Sequence, residues 1–335
     1  MRSLVFVTQA ADPADPVLGA TLPKIRELAR RVDEVVVLAA RVDPAALPEN
    51  CRARSFDAPT QAARGARYLA ALAPEVARRP VAVVAHMAPV FALLAAPLAR
   101  PLRVPLLLWF TGHASGGRLL DAAERVVDVV FSVDERSVPR RSAKIRAIGH
   151  GIDVDAIACV GERTPPLRRL LGLGRYGPVK EWGTAMRALA ELPEATLDLH
   201  GPVLTTADRA HLPELERLAA ELGVAGRVSF GEQVPYVRVP ELLAAADALV
   251  NPTRGASADK VVFEAAAACL PVFAASPVFD TLLPEGMRFP AGDSAALAAR
   301  IRGYAGGAGP ELRARVAAEH SAAHWAEAVL EAARA

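Results

Sequence analysis

Residues 170–190 read LLGLGRYGPVKEWGTAMRALA, and this stretch contains the local pattern that decides the fold. The apolar run at its start predicts a buried β-strand, the glycine-rich stretch after it predicts a turn, and the pattern from Trp182 onward predicts a helix. Strand, turn and helix in this order form the repeating unit of a parallel α/β sheet. The same alternation continues from this stretch towards both ends of the chain.

This alternation predicts two nucleotide-binding α/β units. In the first half we predict strands within residues 4–9, 34–40, 81–87, 104–110, 127–133 and 144–149. In the second half we predict strands within residues 170–175, 195–201, 227–232, 248–253 and 270–275. The linker-like CVGERTPP at 159–166 separates the halves. We therefore predict an N-terminal domain at 1–158, a C-terminal domain at 159–310, and a helix at 311–335 that packs back towards the first domain.

The composition indicates a soluble, globular, cytoplasmic protein. The chain has 335 residues, of which 52% are hydrophobic and 23% are charged, and its net charge of +2 gives no reason to expect a nucleic-acid partner. No export signal is visible, and the uncharged run at 81–99 is interrupted by His86, Pro89 and Pro97, so we expect at most peripheral membrane contact. The cysteines are odd in number and far apart, so we expect reduced thiols, with no disulfide and no zinc.

Gly172, Gly174 and Gly177 match the dinucleotide pattern G-x-G-x-x-G, but the context argues against NAD. Pro178 follows the third glycine before any helix begins, and the next strand ends in His200 rather than in an acidic residue. We favour a loop that grips a diphosphate with its own cations, Arg175 and Lys180. The alternative is that both are solvated surface cations.

Lys260 and Glu264 form a second candidate pair. Glu264 is the only charged residue between Val261 and Phe279, and a carboxylate in so apolar a run needs a partner. Lys260 lies four residues earlier, on the same helical face. We favour a face on which Lys260 meets phosphate and Glu264 meets ribose, and the alternative is an intrahelical ion pair. Of 39 basic residues four are lysines, and both Lys180 and Lys260 fall at proposed phosphate positions.

The ordered motifs GRYGPVK, IGHGIDVDAI and DKVVFEAAAACLPVF resemble the retaining GT-B glycosyltransferases of family 4. The resemblance implies two Rossmann-like parallel-sheet domains that face each other across a cleft. It also implies a nucleoside-diphosphate sugar as co-substrate, bound mainly by the C-terminal domain, and an acceptor bound mainly by the N-terminal domain. Retention of configuration without a metal or another cofactor follows from the same resemblance.

The resemblance assigns roles residue by residue. Arg175 and Lys180 match the catalytic pair that neutralises the donor diphosphate, and Glu264 matches the second acid of the E-x7-E motif, which binds the nucleotide ribose. The first acid of that motif would fall at Ala256, so this chain departs from the pattern there. The expected diphosphate-binding and donor-loop residues are Gly19, Lys260, Gly255, Ala256, Ser257, Ala258 and Asp259.

His113 resembles the family's histidine near the transferred sugar, and we assign it a catalytic role. A buried structural histidine is the alternative at His113, a plain turn is the alternative at Gly19, and helix capping is the alternative at Ser257 and Asp259. The D-x-D sequence at 153–155 has no further carboxylates nearby, so we predict no metal site.

The sequence therefore predicts a retaining hexosyltransferase that moves a sugar from a nucleoside-diphosphate donor to a hydroxyl on a small-molecule, glycan or lipid-linked acceptor. Two other functions stay open: a sugar-nucleotide epimerase of the same fold, and a catalytically silent nucleotide-sugar-binding protein, which Ala256 favours. The nucleotide base, the sugar and the acceptor are left open.

Overall fold

The structure is a computed structural model that describes residues 2–15, 17–112 and 117–334. Its internal contacts divide the chain into two compact units, Met1–Asp153 with Glu319–Ala335, and Val154–Ala318. Each unit is built on a parallel β-sheet, as the sequence predicts.

The first unit alternates strands with helices. Its strands are β1 (Ser3–Ala11), β2 (Glu34–Val42), β3 (Cys51–Ser55), β4 (Val83–His86), β5 (Leu106–Trp109), β6 (Val129–Ser132) and β7 (Ile145–Ala147). The helices between them are α1 (Thr21–Ala29), α2 (Gln61–Ala77), α3 (Pro89–Ala99) and α4 (Gly117–Val126). The strand order is β3-β2-β1-β4-β5-β6-β7, so successive strands are added on one side of β1 and then, from β4 onward, on the other. Parallel α/β sheets place functional side chains at this switch point between β1 and β4.

The second unit repeats this plan on a smaller scale. Its strands are β8 (Arg169–Leu173), β9 (Thr196–His200), β10 (Val228–Gly231), β11 (Ala248–Asn251) and β12 (Val272–Ala274). Its helices are α5 (Trp182–Ala190), α6 (Thr206–Glu221), α7 (Val239–Ala245), α8 (Lys260–Ala267), α9 (Ser294–Arg302) and α10 (Gly309–Glu319). The strand order is β10-β9-β8-β11-β12, so β8 and β11 flank the point of reversal.

The C-terminal segment is not the single helix that the sequence predicts for 311–335. It forms α10 and then α11 (Ala322–Ala332), which are separated at His320 and Ser321. The carbonyl of His320 accepts hydrogen bonds from the backbone N–H groups of Gly151 and Ile152, and the Ser321 side chain caps α11. These contacts end one helix and begin the next. In the first unit, α11 packs on α1 and places Trp325 edge-on against Phe6.

The predicted strands are apolar and form both sheets, whereas the edge strand β3 is not predicted. All residues of β4, β5 and β6 are buried, as expected for central parallel strands with both faces covered. Strand β3 is absent from the prediction because its sequence CRARS is short and mostly polar. It pairs with β2 at the sheet edge, where solvent accepts such side chains.

The expectation of reduced cysteines is wrong for Cys159 and Cys269, which form a disulfide. The residues are 110 positions apart, but their Cα atoms lie 5.1 Å from each other, and next to them the Val160 N–H donates to the carbonyl of Ala268. Cys51 is a half-buried free thiol, and burial raises its pKa to about 11. No helix in the described part of the chain combines the length and the apolar character needed to cross a membrane.

Candidate functional site

Close packing explains why glycines occupy the end of β8 and the turn after it. A Cβ on Gly172 would lie 2.5 Å from Leu199 Cδ2 and 2.7 Å from the ring of Trp182. A Cβ on Gly174 would lie 3.2 Å from Lys180 Cε. Trp182 in turn donates from Nε1 to the carbonyl of Arg175 at 3.0 Å. Gly172 and Gly174 therefore allow the strand, the tryptophan and the lysine to pack closely.

Arg175 follows β8 and extends towards the start of α6. One of its guanidinium nitrogens lies 3.5 Å from Oδ2 of Asp208, and 40% of its side chain is exposed. Asp208 is itself buried and accepts hydrogen bonds from the backbone N–H groups of Leu204 and Thr205. The Arg175 side chain is thus anchored loosely by one carboxylate and remains accessible to solvent.

Lys180 is held far more tightly than Arg175. It ends a short 3₁₀ turn, Pro178–Lys180, and its side chain is 12% exposed. Its Nζ donates to Oδ2 of Asp259 at 2.6 Å. Because β8 pairs with β11, this bond joins the loop after β8 to the loop that follows β11.

The 252–259 loop, which connects β11 to α8, contains the predicted donor-loop residues. Its Arg254 N–H donates to the carbonyl of Val179 at 2.9 Å, so the loop lies against the turn after β8. Gly255 adopts a left-handed φ of +78°, a conformation that favours glycine. Ala256 and Ser257 are half-buried, and Ala258 is buried.

Asp259 has a different role from helix capping. It occupies the N-cap position of α8, yet its side chain makes no capping hydrogen bond. It accepts hydrogen bonds from Asn251 Nδ2 at 2.8 Å, from Thr253 Oγ1 at 2.6 Å and from Ser257 Oγ at 2.8 Å, in addition to Lys180. Burial by itself raises the pKa of Asp259, but the charge of Lys180 and these hydrogen bonds outweigh burial and hold the pKa well below its ordinary value. The carboxylate is therefore ionised.

The first turn of α8 brings Lys260 and Glu264 together. Lys260 Nζ lies 3.3 Å from Glu264 Oε1, so the intrahelical ion pair, the alternative to a ligand-binding face, is present. The same ammonium lies 3.9 Å from the ring centre of Tyr236. Glu264 is 1% exposed, and within the described residues its Oε1 accepts no hydrogen bond of good geometry. A buried carboxylate oxygen of this kind can accept a hydroxyl donor.

The first unit contains Gly19, whereas His113 lies outside the described residues. Gly19 belongs to the turn before α1, and its N–H donates to the carbonyl of Asp15 at 2.9 Å. This geometry is that of a plain turn, the alternative interpretation of Gly19. A ligand role for Gly19 stays a prediction.

A buried polar group lies at the carboxyl ends of β1, β4 and β5; the sequence places His86 at a strand end but does not reveal the residues around it. His86 is fully enclosed, stacks on Trp109 with a ring separation of 5.0 Å, and lies with Nδ1 3.2 Å from Thr8 Oγ1. The Nζ of Lys24 lies 5.0 Å from the centre of the Trp109 ring. Burial and the charge of Lys24 lower the pKa of His86 well below its ordinary value. Lys24 shares the buried face of α1 with Thr21 and Leu28, and this helical spacing is the sequence signal that could have identified Lys24 as a buried residue.

Comparison with known proteins agrees with this architecture. Residues 168–305 match the model of the family described as glycosyl transferases group 1. The chain is 31% identical over 230 residues to D-inositol 3-phosphate glycosyltransferase of Streptomyces avermitilis, which covers 61% of this chain and 49% of that relative. The chain therefore spans about half the length of this curated relative.

Solved structures resemble the chain over its whole length. Sucrose-phosphate synthase from Thermosynechococcus elongatus has a TM-score of 0.76 at 17% identity and covers 100% of this chain and 98% of its own. Anabaena HepE in complex with UDP and glucose has a TM-score of 0.71 at 18% identity and covers 99% of both chains. The predicted resemblance to GT-B glycosyltransferases and the predicted pair of parallel-sheet α/β domains are confirmed.

Proposed function

We propose that this chain is a retaining glycosyltransferase that moves a hexosyl group from a nucleoside-diphosphate sugar to a hydroxyl acceptor, without a metal. The observation that carries this proposal is the position of Lys180. Within the stretch that matches glycosyl transferases group 1, its ammonium stands between the ends of β8 and β11, next to the loop that leads to Lys260.

The proposed chemistry follows from the charge that develops on the leaving group. As the bond between sugar and diphosphate breaks, negative charge accumulates on the diphosphate oxygens. Cations that are already in place at these oxygens lower the barrier, because they need no reorganisation during the reaction. We assign this role to Lys180, with Arg175 as a more mobile second cation and Lys260 as a third.

The stereochemical part of the proposal needs no side-chain nucleophile. The leaving diphosphate itself takes the proton of the acceptor hydroxyl on the face from which it departs, so the new bond forms with the configuration of the old one. His113 is assigned to the transferred sugar in this scheme. The acceptor is a small molecule, a glycan or a lipid-linked sugar.

The environment of Glu264 supports a donor that contains a nucleotide. Its Oε1 is buried and accepts no hydrogen bond among the described residues, although Lys260 lies within ion-pair distance. A ribose with two adjacent hydroxyls can supply the missing donors, and each such bond to a carboxylate contributes about 1.5–3 kcal/mol. The absence of an acid at Ala256 then bears on the sugar rather than on the nucleotide.

The first test is a thermal-shift screen with UDP, GDP, ADP and dTDP. We expect at least one nucleotide to raise Tm, and we expect Lys180→Ala and Glu264→Gln to reduce that rise by half or more. Lys144→Ala is the matched control, because Lys144 Nζ bonds backbone carbonyls of Glu124 and Val127 in the other unit. Variants that respond like the parent would show that the site is elsewhere.

The second test separates the proposed reaction from its rivals. With the nucleotide sugar selected by the screen, EDTA present and a panel of acceptors, we expect release of nucleoside diphosphate and a glycoside with the donor's anomeric configuration by NMR. A new sugar isomer without any acceptor would identify an epimerase. Saturable nucleotide binding without turnover would identify a silent binding protein.

A further inference from the structure

Asp259 is saturated with hydrogen-bond donors from the protein. Within the described part of the chain, Oδ2 accepts from Lys180, Asn251 and Thr253, and Oδ1 accepts from Ser257. An ionised carboxylate offers about four acceptor positions in total. Asp259 therefore has little capacity left for a sugar hydroxyl and does not replace the acid that Ala256 lacks. Its role concerns the protein itself.

The carboxylate stays in place without help from Lys180. Three of its donors, Asn251, Thr253 and Ser257, come from the end of β11 and the loop behind it. Asn251 is 0% exposed and Thr253 is 1% exposed, so both lie in the packed interior of the second unit. The carboxylate is thus a fixed anion, and Lys180 is the flexible partner that it holds.

Lys180 is confined at two points along its side chain. Its stem crosses Gly174, where a Cβ would come within 3.2 Å of Cε, and its ammonium meets Asp259 at 2.6 Å. An ammonium carries three N–H donors, so one carboxylate does not exhaust it. The remaining donors can meet phosphate oxygens from a position that Asp259 has already set.

We propose that Asp259 is a positioning residue that fixes the Lys180 ammonium for a donor diphosphate. This inference rests on the proposed function, because it assumes that Lys180 binds the diphosphate. A lysine side chain loses conformational entropy when rotation about its several bonds is restricted. A carboxylate that orders Lys180 before the donor arrives removes this cost from binding and keeps the cation in place as the diphosphate departs.

The test is a double-mutant cycle read by calorimetric titration with inorganic pyrophosphate, UDP and GDP. Asp259→Ala should weaken binding of the probes about tenfold, the size expected for ordering one flexible side chain during binding. The same substitution should change nothing further in a Lys180→Met background. Asp259→Asn should stay within about threefold of the parent, because its amide oxygen can accept the same three bonds and its NH₂ can donate to Ser257. If Asp259→Ala does not fold, Asp259→Ser replaces it in the cycle.

Asp247→Ala is the matched control. Asp247 is another largely buried carboxylate of the second unit, and it holds Arg169 and the backbone N–H groups of residues 168 and 169. Among the residues that the structure describes, Asp247 bonds only to residues 168 and 169 and not to the Lys180 loop, so its removal should leave affinity for the probes unchanged. An equal loss in Asp247→Ala would mean that Asp259 acts through general stability, which overturns the inference.

Additive losses in the cycle, or an Asp259→Asn variant as weak as Asp259→Ala, would also overturn it. A ligand-free readout separates this failure from failure of the proposed function. With acetic anhydride and peptide mass spectrometry, Lys180 should react about tenfold faster in Asp259→Ala than in the parent, relative to Lys144, because its side chain is only 12% exposed and the carboxylate no longer holds the ammonium in place. If no probe binds the parent, the diphosphate assignment fails, and an unchanged labelling rate would show that the positioning role fails as well.

Discussion

Lys24 in the first unit and Lys180 in the second are both largely buried, but the neighbours described for their ammonium groups differ. Lys24 lies 5.0 Å from the ring centre of Trp109 and 5.8 Å from that of Trp325. Lys180 lies 2.6 Å from the carboxylate of Asp259. Aromatic faces stabilise a cation as part of a packed core, whereas a single carboxylate orients it and leaves donors for a second anion. We therefore expect Lys24 to stabilise the fold, whereas Lys180 is the lysine that we propose to bind a ligand.

The neighbouring titratable groups respond in opposite ways. Beside Lys24, burial and the positive charge lower the pKa of His86, so that imidazole is neutral. Beside Lys180, the positive charge and the hydrogen bonds overcome burial and lower the pKa of Asp259, so that carboxylate is charged. The first unit therefore contains a buried basic group that acid would disturb, and the second contains a carboxylate that remains ionised in mild acid.

The largest effect in this comparison is expected from removing the Lys24 side chain. Lys24→Ala should lower the free energy of unfolding by about 3 kcal/mol, because truncating a buried side chain of this size leaves a cavity between two tryptophans. Lys180→Ala should cost less, about 1–2 kcal/mol, because the largely buried Asp259 carboxylate loses its cation but keeps three hydrogen-bond donors. Denaturant unfolding followed by tryptophan fluorescence measures both.

Lys24→Met tests what the rings contribute. Methionine restores most of the volume without the charge, so it should recover all but about 1 kcal/mol of the loss, the typical size of a cation–π contact. Both Lys24 variants should keep the nucleotide-induced rise in Tm of the parent. A lost nucleotide response in Lys24→Met would contradict the division between a structural and a ligand-serving lysine.

Acid should weaken the first unit before the second. Burial, followed by His324, lowers the pKa of His320 from 6.5 to about 4, and the pKa of His86 is lowered too. Unfolding lets these histidines bind protons, so stability falls as the pH drops below about 6.5, by up to about 1.4 kcal/mol per pH unit for each group. The lowered pKa of Asp259 gives stability that is kept above the ordinary aspartate range and is lost only in stronger acid.

Hydrogen exchange with mass spectrometry at pH 7 and pH 5, corrected for intrinsic rates, measures this contrast. Peptides from β4 and β5 should lose protection at pH 5, by up to about 2 kcal/mol for each of the two histidines, while peptides from β8 and β11 should not. His320→Asn should remove part of the pH dependence in the first unit. Equal losses in both units would show that the histidines are not responsible.

Both sheets could be predicted from the sequence because apolar strands and amphipathic helices are local patterns, and the Lys260–Glu264 pair could be read from its spacing of four. The partner of Lys180 could not, since Asp259 is 79 positions away and reaches it only after β8 and β11 pair. The Cys159–Cys269 disulfide is missing from the prediction for the same reason, and β3 is missing because its short polar sequence is recognisable as a strand only from its pairing with β2. In each case the decisive contact is set by tertiary pairing and not by neighbours in sequence.

The glycines that approach Lys24 and Lys180 give a matched pair of substitutions. A Cβ on Gly151 would lie 2.6 Å from Lys24 Cε, and its φ of +76° adds strain for any other residue. A Cβ on Gly174 would lie 3.2 Å from Lys180 Cε, without a positive φ. Gly151→Ala should therefore cost about 1–2 kcal/mol of stability and leave nucleotide binding unchanged.

Gly174→Ala should have the reverse signature. We expect a stability change below about 1 kcal/mol, because the Lys180 stem need move only a few tenths of an ångström. The ammonium moves with the stem, so affinity for the nucleotide that binds the parent should fall about threefold, and this fall should vanish in Lys180→Met. Denaturant unfolding and calorimetric titration of the same variants supply both numbers. If Gly174→Ala weakened folding more than nucleotide binding, Lys180 would be a packing lysine like Lys24, and the contrast between the two units would be lost.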